Sequence, residues 1–308
     1  MKLESVLKTS LDELRMQMLG SQVLFGFQFQ GLFQDNFQAL PISGRTADAV
    51  ALALMILVLG LIVAVPCQHR IMDQGESTLR ILRVSSRCAN YALGPLAAAI
   101  ACDIYVATVH TVGPARGVAL ASGAFVLALG TWYGLGAAMR RGLNTSRGLP
   151  PMQQTPTPLH AKIEQLLTEA RVILPGAQAL LGFQLIVMLT QAFDRLPKGV
   201  QATHVAALLS LVIAVVLLIA PAAIHRLAFQ GRDDARLLGP GSLIVTLALL
   251  PLAVSICCDL WVALYKLDGN DTISTVGALV AAAILLGLWF ILPLALREKA
   301  HARRRSIE

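Results

Sequence analysis

The chain has 308 residues, of which 56% are hydrophobic and only 14% charged, against about 25% charged in a soluble domain. That composition excludes an ordinary water-soluble globule and points to an integral membrane protein. A formal net charge of +7 does not signal a nucleic-acid partner, because the basic residues fall in short clusters between long apolar runs rather than along one face.

The opening segment, "MKLESVLKTSLDELRMQM", lacks the apolar stretch of a secretory signal. Its Leu3, Leu7, Leu11 and Leu14 recur at helical spacing, which predicts a short amphipathic helix lying on the membrane surface. Crossing about 30 Å of hydrocarbon takes roughly 20 apolar residues. Eight such runs follow, at approximately 17–35, 48–67, 88–109, 117–139, 173–193, 203–224, 241–265 and 274–296. Between the fourth and fifth lies "GLNTSRGLPPMQQTPTPLH", Gly142 to His160, whose prolines and polar residues predict a linker. The expected fold is all-α, an eight-span membrane bundle. Its first four-span repeat covers 1–141 with the amphipathic helix, the linker 142–160, and the second four-span repeat 161–308 with a basic tail. Of the 25 Lys and Arg residues, only Arg45, Arg116, Arg195, Lys198 and Lys266 fall on the side opposite the termini. Both termini are therefore expected in the cytoplasm.

The repeat is read from polar identities at an offset of 156. Between Glu13 and Pro41, 11 of 29 positions match, among them Glu13/Glu169, Arg15/Arg171, Gln22/Gln178, Gly26/Gly182 and Gln28/Gln184. Further on come His69-Arg70 with His225-Arg226, Pro95/Pro251 and Cys102-Asp103 with Cys258-Asp259. Shared apolar composition aligns leucines; it does not align Glu, Arg, Gln, His and Asp. Four spans per unit is an even number, so the halves are expected to share one orientation about an axis along the membrane normal.

The same residues carry a resemblance. "EARVILPGAQALLGFQL" (Glu169–Leu185) followed by "IAPAAIHRLAFQ" (Ile219–Gln230) resembles a family of short bacterial membrane proteins of unknown function, with an E-x-R-x3-P-G-x-Q opening and an A-P-x3-H-R close. The first half departs from it, with Leu19 at the proline position and Pro66 shifted by one. The resemblance implies a tandem fusion of two such units in the bacterial cytoplasmic membrane, and no particular activity.

Three sets of polar residues stand out. Gln22 with Gly26, and Gln178 with Gly182, are four apart on one helical face. Small residues let helices approach and carboxamides hydrogen-bond across the contact, so these read as helix-packing positions, with a polar solute lining as the alternative. Glu13, Arg15, His69 and Arg70, with Glu169, Arg171, His225 and Arg226, fall at cytoplasmic helix ends. Consecutive antiparallel spans bring each Glu-x-Arg to the His-Arg of its own half, which predicts an ion-pair cluster within each half. Its basic surplus would contact anionic lipid headgroups, with an anion-binding or pH-responsive site as the alternative.

Asp103 and Asp259 are the third set. An ionisable residue inside a span is a functional candidate by default. Tyr105 and Trp261, two residues on, place the pair near the outer interface, so an interfacial or helix-pairing role is expected, with an ion or proton site as the alternative. The five cysteines lie in or beside apolar runs without metal-ligand spacing and read as reduced. No nucleophile elbow, phosphate loop, zinc-ligand helix or dinucleotide fingerprint occurs, so no catalytic residue, metal or cofactor is expected. Oligomeric state leaves no signature. Three function classes remain: a structural, scaffolding or stress-related role without turnover; a permease or channel for a small solute or ion between the halves; and, with the least support, a membrane enzyme. Pro95 and Pro251 favour the second by interrupting their spans.

Overall fold

A computed structural model describes residues 3–134, 137, 157–230 and 232–305, and among these residues the regular structure is entirely helical. The first half holds α1 (Leu3–Gly31), α2 (Ile42–Ile71), α3 (Leu79–Val112) and α4 (Pro114–Leu129). The second holds α5 (Leu159–Val187), α6 (Lys198–Leu227), α7 (Leu238–Asp268), α8 (Asp271–Leu286) and α9 (Leu292–Arg305). Single π turns carry α4 on to Gly134 and join α8 to α9. The linker expected over 142–160 lies outside the described residues as far as 156, and Leu159 and His160 already belong to α5.

Local chemistry sets the corners. Thr78 starts α3 by accepting the Ile81 N–H at 3.2 Å, and Asn270 starts α8 by accepting from Thr272 and Ile273. Gly113, at φ 83°, turns the chain into Pro114 at the first position of α4. Gly269, at φ 66°, closes α7 in the left-handed conformation.

Seven helices are long and apolar enough to cross a membrane, one fewer than the eight runs read from the sequence. α1 falls short because its N-terminal half carries Lys8, Asp12, Glu13 and Arg15 and the remainder carries Gln17, Gln22, Gln28 and Gln30. The surface helix expected there is not a separate element, since it continues unbroken into the apolar part of α1. Leu3, Leu7, Leu11 and Leu14 are only 3%, 0%, 4% and 2% exposed, and the last three join one core with Ile163, Leu166 and Ile173 of α5. The leucine stripe thus faces a protein partner, and its periodicity reports helix packing rather than lipid.

α1 and α5 form the centre of the bundle, and their contacts advance together along both chains. Lys8 Nζ lies 2.6 Å from Glu164 Oε1, the buried Gln22 lies against Gly176, and the Phe27 and Phe183 rings meet at a tilt with centroids 4.6 Å apart. The two helices therefore run parallel and within two residues of the 156 register. Around them the halves differ. α2 packs against α7, α8 and α9 of the second half, and Trp289, fully buried, donates its indole N–H to the Gly60 carbonyl at 3.1 Å. The apolar window of α2 is 72% buried, against 28% for its counterpart α6. Val216, which stands where α2 has Gly60, is exposed.

The expected glutamine–glycine pairs also differ between halves. A Cβ at Gly26 would overlap the Phe183 ring and one at Gly176 the Gln22 carboxamide, whereas Gly182 has nothing within 4 Å and Gln178 is exposed. The α1–α5 contact uses one glycine from each helix, not the repeated pair. Gly176→Leu is expected to destabilise by overpacking, about 1–3 kcal/mol, and Gly182→Leu by far less. Thermal unfolding of the two variants in detergent checks this; equal losses would remove the close approach.

Candidate functional site

Two polar sites occupy equivalent places in the halves. In the first, Gln28 on α1 donates to both carboxylate oxygens of Asp103 on α3, at 3.1 and 3.0 Å. Asp48 on α2 completes the site; it is 4% exposed and its Oδ2 has no hydrogen-bond partner. Both carboxyls line one cavity of about 400 Å³, whose walls are otherwise largely carbon, from Leu24, Phe27, Phe37 and Val106 among others.

In the second half, Gln184 on α5 donates to Asp259 Oδ2 on α7 at 2.5 Å and to Ser255 Oγ at 2.9 Å. His204 on α6 stands where the first half has Asp48. Its Nδ1 lies 3.5 Å from Asp259 Oδ1, and neither atom has a hydrogen-bond partner. Its Nε2 lies 3.1 Å from the Gln184 carbonyl; a carbonyl only accepts, so Nε2 carries the hydrogen. The imidazole is held between Phe29 of the first half, stacked at 5.5 Å, and Phe193, edge-on at 5.3 Å. His204 and Asp259 are both fully buried.

Asp103 comes nine residues before the end of α3 and Asp259 nine before the end of α7, about 14 Å of helix rise. Tyr105 pairs with Ser43 at 2.8 Å, and the Trp261 N–H donates to Thr275 at 3.1 Å. Both aromatic residues thus fasten neighbouring helices. Asp48 and His204 went unseen in the sequence because the repeat was read from identities. The signal was there: 48 plus 156 is 204, and each is a polar residue in an apolar run.

The other charged cluster is built across the halves, not within each. Glu169, 2% exposed, takes His69 Nδ1 on Oε1 and Arg70 Nε on Oε2, both at 2.5 Å. Arg70 also donates to the Leu166 carbonyl at 3.1 Å. Parallel packing of α1 on α5 explains the crossing, since it puts the end of α2 beside α5. The counterpart does not form among the described residues: Glu13 and Arg226 are exposed and His225 is half-buried, as are Arg15 and Arg171 exposed. Beside the clamp, Glu76 in the α2–α3 turn pairs with Lys162 and accepts the Thr157 N–H at 3.1 Å. Partial burial would raise the Glu76 carboxyl, but the hydrogen bonds from Lys162 and Thr157 outweigh it and hold it below its ordinary range. No group of three or more His, Cys, Asp and Glu able to hold a metal occurs among the described residues.

Comparison with known proteins finds a family model, a family of unknown function (DUF6328), that matches residues 2–136 and again residues 157–293. The chain belongs to that family and carries its unit twice, as the resemblance implied. No curated protein and no solved structure matches it.

Breaking a buried ion pair by removing one partner costs about 3–5 kcal/mol, while an exposed substitution stays within about 0.5 kcal/mol. Glu169→Ala is therefore expected to lower stability far more than Glu13→Ala, and by the same amount in anionic and neutral bilayers. Denaturation of the reconstituted variants measures both; similar losses at the two positions would contradict the asymmetric clamp.

Proposed function

With two copies of one family unit in a single chain as the premise, we propose that this is an eight-span protein of the bacterial cytoplasmic membrane that binds a small cation in its first half. α1 is the eighth span. It lies parallel to α5 and nearly in register with it, so it crosses wherever α5 does, and its polar residues face protein or the membrane edge. Eight crossings return the chain to its starting side, and the basic surplus sets both termini in the cytoplasm. The halves then share one orientation. Arg15, Arg171 and Arg226, exposed at the clamp end, meet anionic headgroups there, at about 1 kcal/mol per basic residue.

One observation carries the cation reading: Asp48 Oδ2 is buried, lacks a partner and borders a cavity of about 400 Å³ shared with Asp103. A buried carboxylate is costly unless paired, and a cation entering the cavity supplies the pair. This supports the permease or binding-protein reading over an enzyme. The scaffolding reading keeps its own support in the second half, where His204 fills the equivalent place and Glu169 locks the halves together. The first half binds and the second half braces.

Gly31 borders the cavity and has no atom within 4 Å of an added Cβ, so a cysteine fits there. With the five native cysteines replaced by alanine, Gly31→Cys is expected to react with a cationic methanethiosulfonate about tenfold or more faster than with an anionic one. Asp48→Asn should shrink that ratio. Equal rates for the two reagents would defeat the cation reading. For topology, reporters fused at Glu308 and inserted at Gly199 are expected on opposite sides; the same side for both would end the eight-span arrangement.

A further inference from the structure

The second half holds, built into its own chain, a picture of what the first half lacks. His204 places an organic ring beside Asp259, its Nδ1 3.5 Å from the carboxyl and its Nε2–H on the Gln184 carbonyl, between Phe29 and Phe193. The first half repeats Gln28 for Gln184, Asp103 for Asp259 and Phe37 for Phe193, but puts Asp48 where the imidazole is rooted. The ring is gone, a second carboxyl has taken its place, and about 400 Å³ of cavity remains. We infer that the first-half cavity takes an organic monocation with a flat or apolar body, of the imidazolium or arylalkylammonium class, seated where His204 sits in the second half. This rests on the cation-binding reading above and names its ligand.

Three features select that class. Cavities of roughly 300–1,000 Å³ take small organic ligands, whereas a bare alkali ion leaves such a space unfilled. The walls contributed by Leu24, Phe27, Phe37, Leu40 and Val106 suit an apolar body, and aromatic faces add cation–π attraction to a charged head. The polar atoms are gathered, not spread: Gln28 holds both oxygens of Asp103, leaving Asp48 Oδ2 and Gln28 Oε1 without partners. A single cationic head carrying N–H or N–CH groups satisfies Asp48. A neutral apolar molecule would leave Asp48 unpaired, and an anion would be repelled.

The full chain, purified in detergent or nanodiscs, is titrated calorimetrically with benzyltrimethylammonium, with neutral benzyl alcohol and with sodium. Saturable binding of benzyltrimethylammonium alone is expected. Asp48→Asn should weaken it about tenfold or more, the usual scale for losing a charged partner. Asp48→His, which roots an imidazole in the first half as in the second, should abolish it with thermal stability kept. Binding of benzyltrimethylammonium that Asp48→Asn leaves unchanged, or benzyl alcohol binding as tightly, overturns the inference. If sodium binds in an Asp48-dependent way and the organic cation does not, the ligand class is wrong and the cation reading stands. If neither binds, both fall.

Discussion

Glu169 is 2% exposed and sits between a histidine and an arginine that both belong to the other half. A carboxylate buried there without its partners would be strongly destabilising, so the packing of α5 depends on the end of α2 lying beside it. The clamp thereby fixes where α5 lies along α2. From Glu169 to Gln184 is 15 residues of one helix, about 22 Å of rise, and that rigid span carries the register from the clamp to the second-half site. The Gln28–Asp103 and Gln184–Asp259 contacts both depend on the α1–α5 alignment that Lys8–Glu164 and Phe27–Phe183 express.

The sequence is a repeat, yet the structure is not symmetric about it. α2 is enclosed by the last helices of the chain, with Trp289 bonded to Gly60, while α6 turns an apolar face outward. The charged clamp follows the same division, formed by Glu169 with His69 and Arg70 and left unformed by Glu13 with His225 and Arg226. One enclosed side and one open side explain why identical motifs have different surroundings. They also explain why the glycine that matters is Gly26 in α1 but Gly176 in α5.

What was legible in the sequence follows from what sequence patterns encode. The helical fold, the duplication and the long apolar elements rest on composition and on polar identities at one offset, and these survive any packing arrangement. The partners of each charge do not. Glu169 was assigned to Arg226 by the rule that consecutive spans are neighbours, and the parallel contact of α1 with α5 overrode it by bringing Arg70 closer. The leucines of the first eighteen residues were assigned to lipid because periodicity tells that a helix has an apolar face, not what covers it. Asp48 and His204 escaped because identity was the filter, and the informative position was the one where the copies disagree. Asp103 and Asp259 are legible in the sequence as polar residues in apolar runs, and each bonds to a glutamine of a neighbouring helix.

Joining two copies in one chain changes what that disagreement can become. Two separate copies of a single unit, assembled as a symmetric pair, would carry the same residue at the position of Asp48 and His204, and any substitution would alter both sites at once. Fusion lets the copies diverge independently. One half has an imidazole at that position, while the other has a carboxyl. The tandem arrangement thus lets one chain hold a buried histidine–aspartate contact in one half and two carboxyls at a cavity in the other, a combination that no symmetric pair of single units could carry.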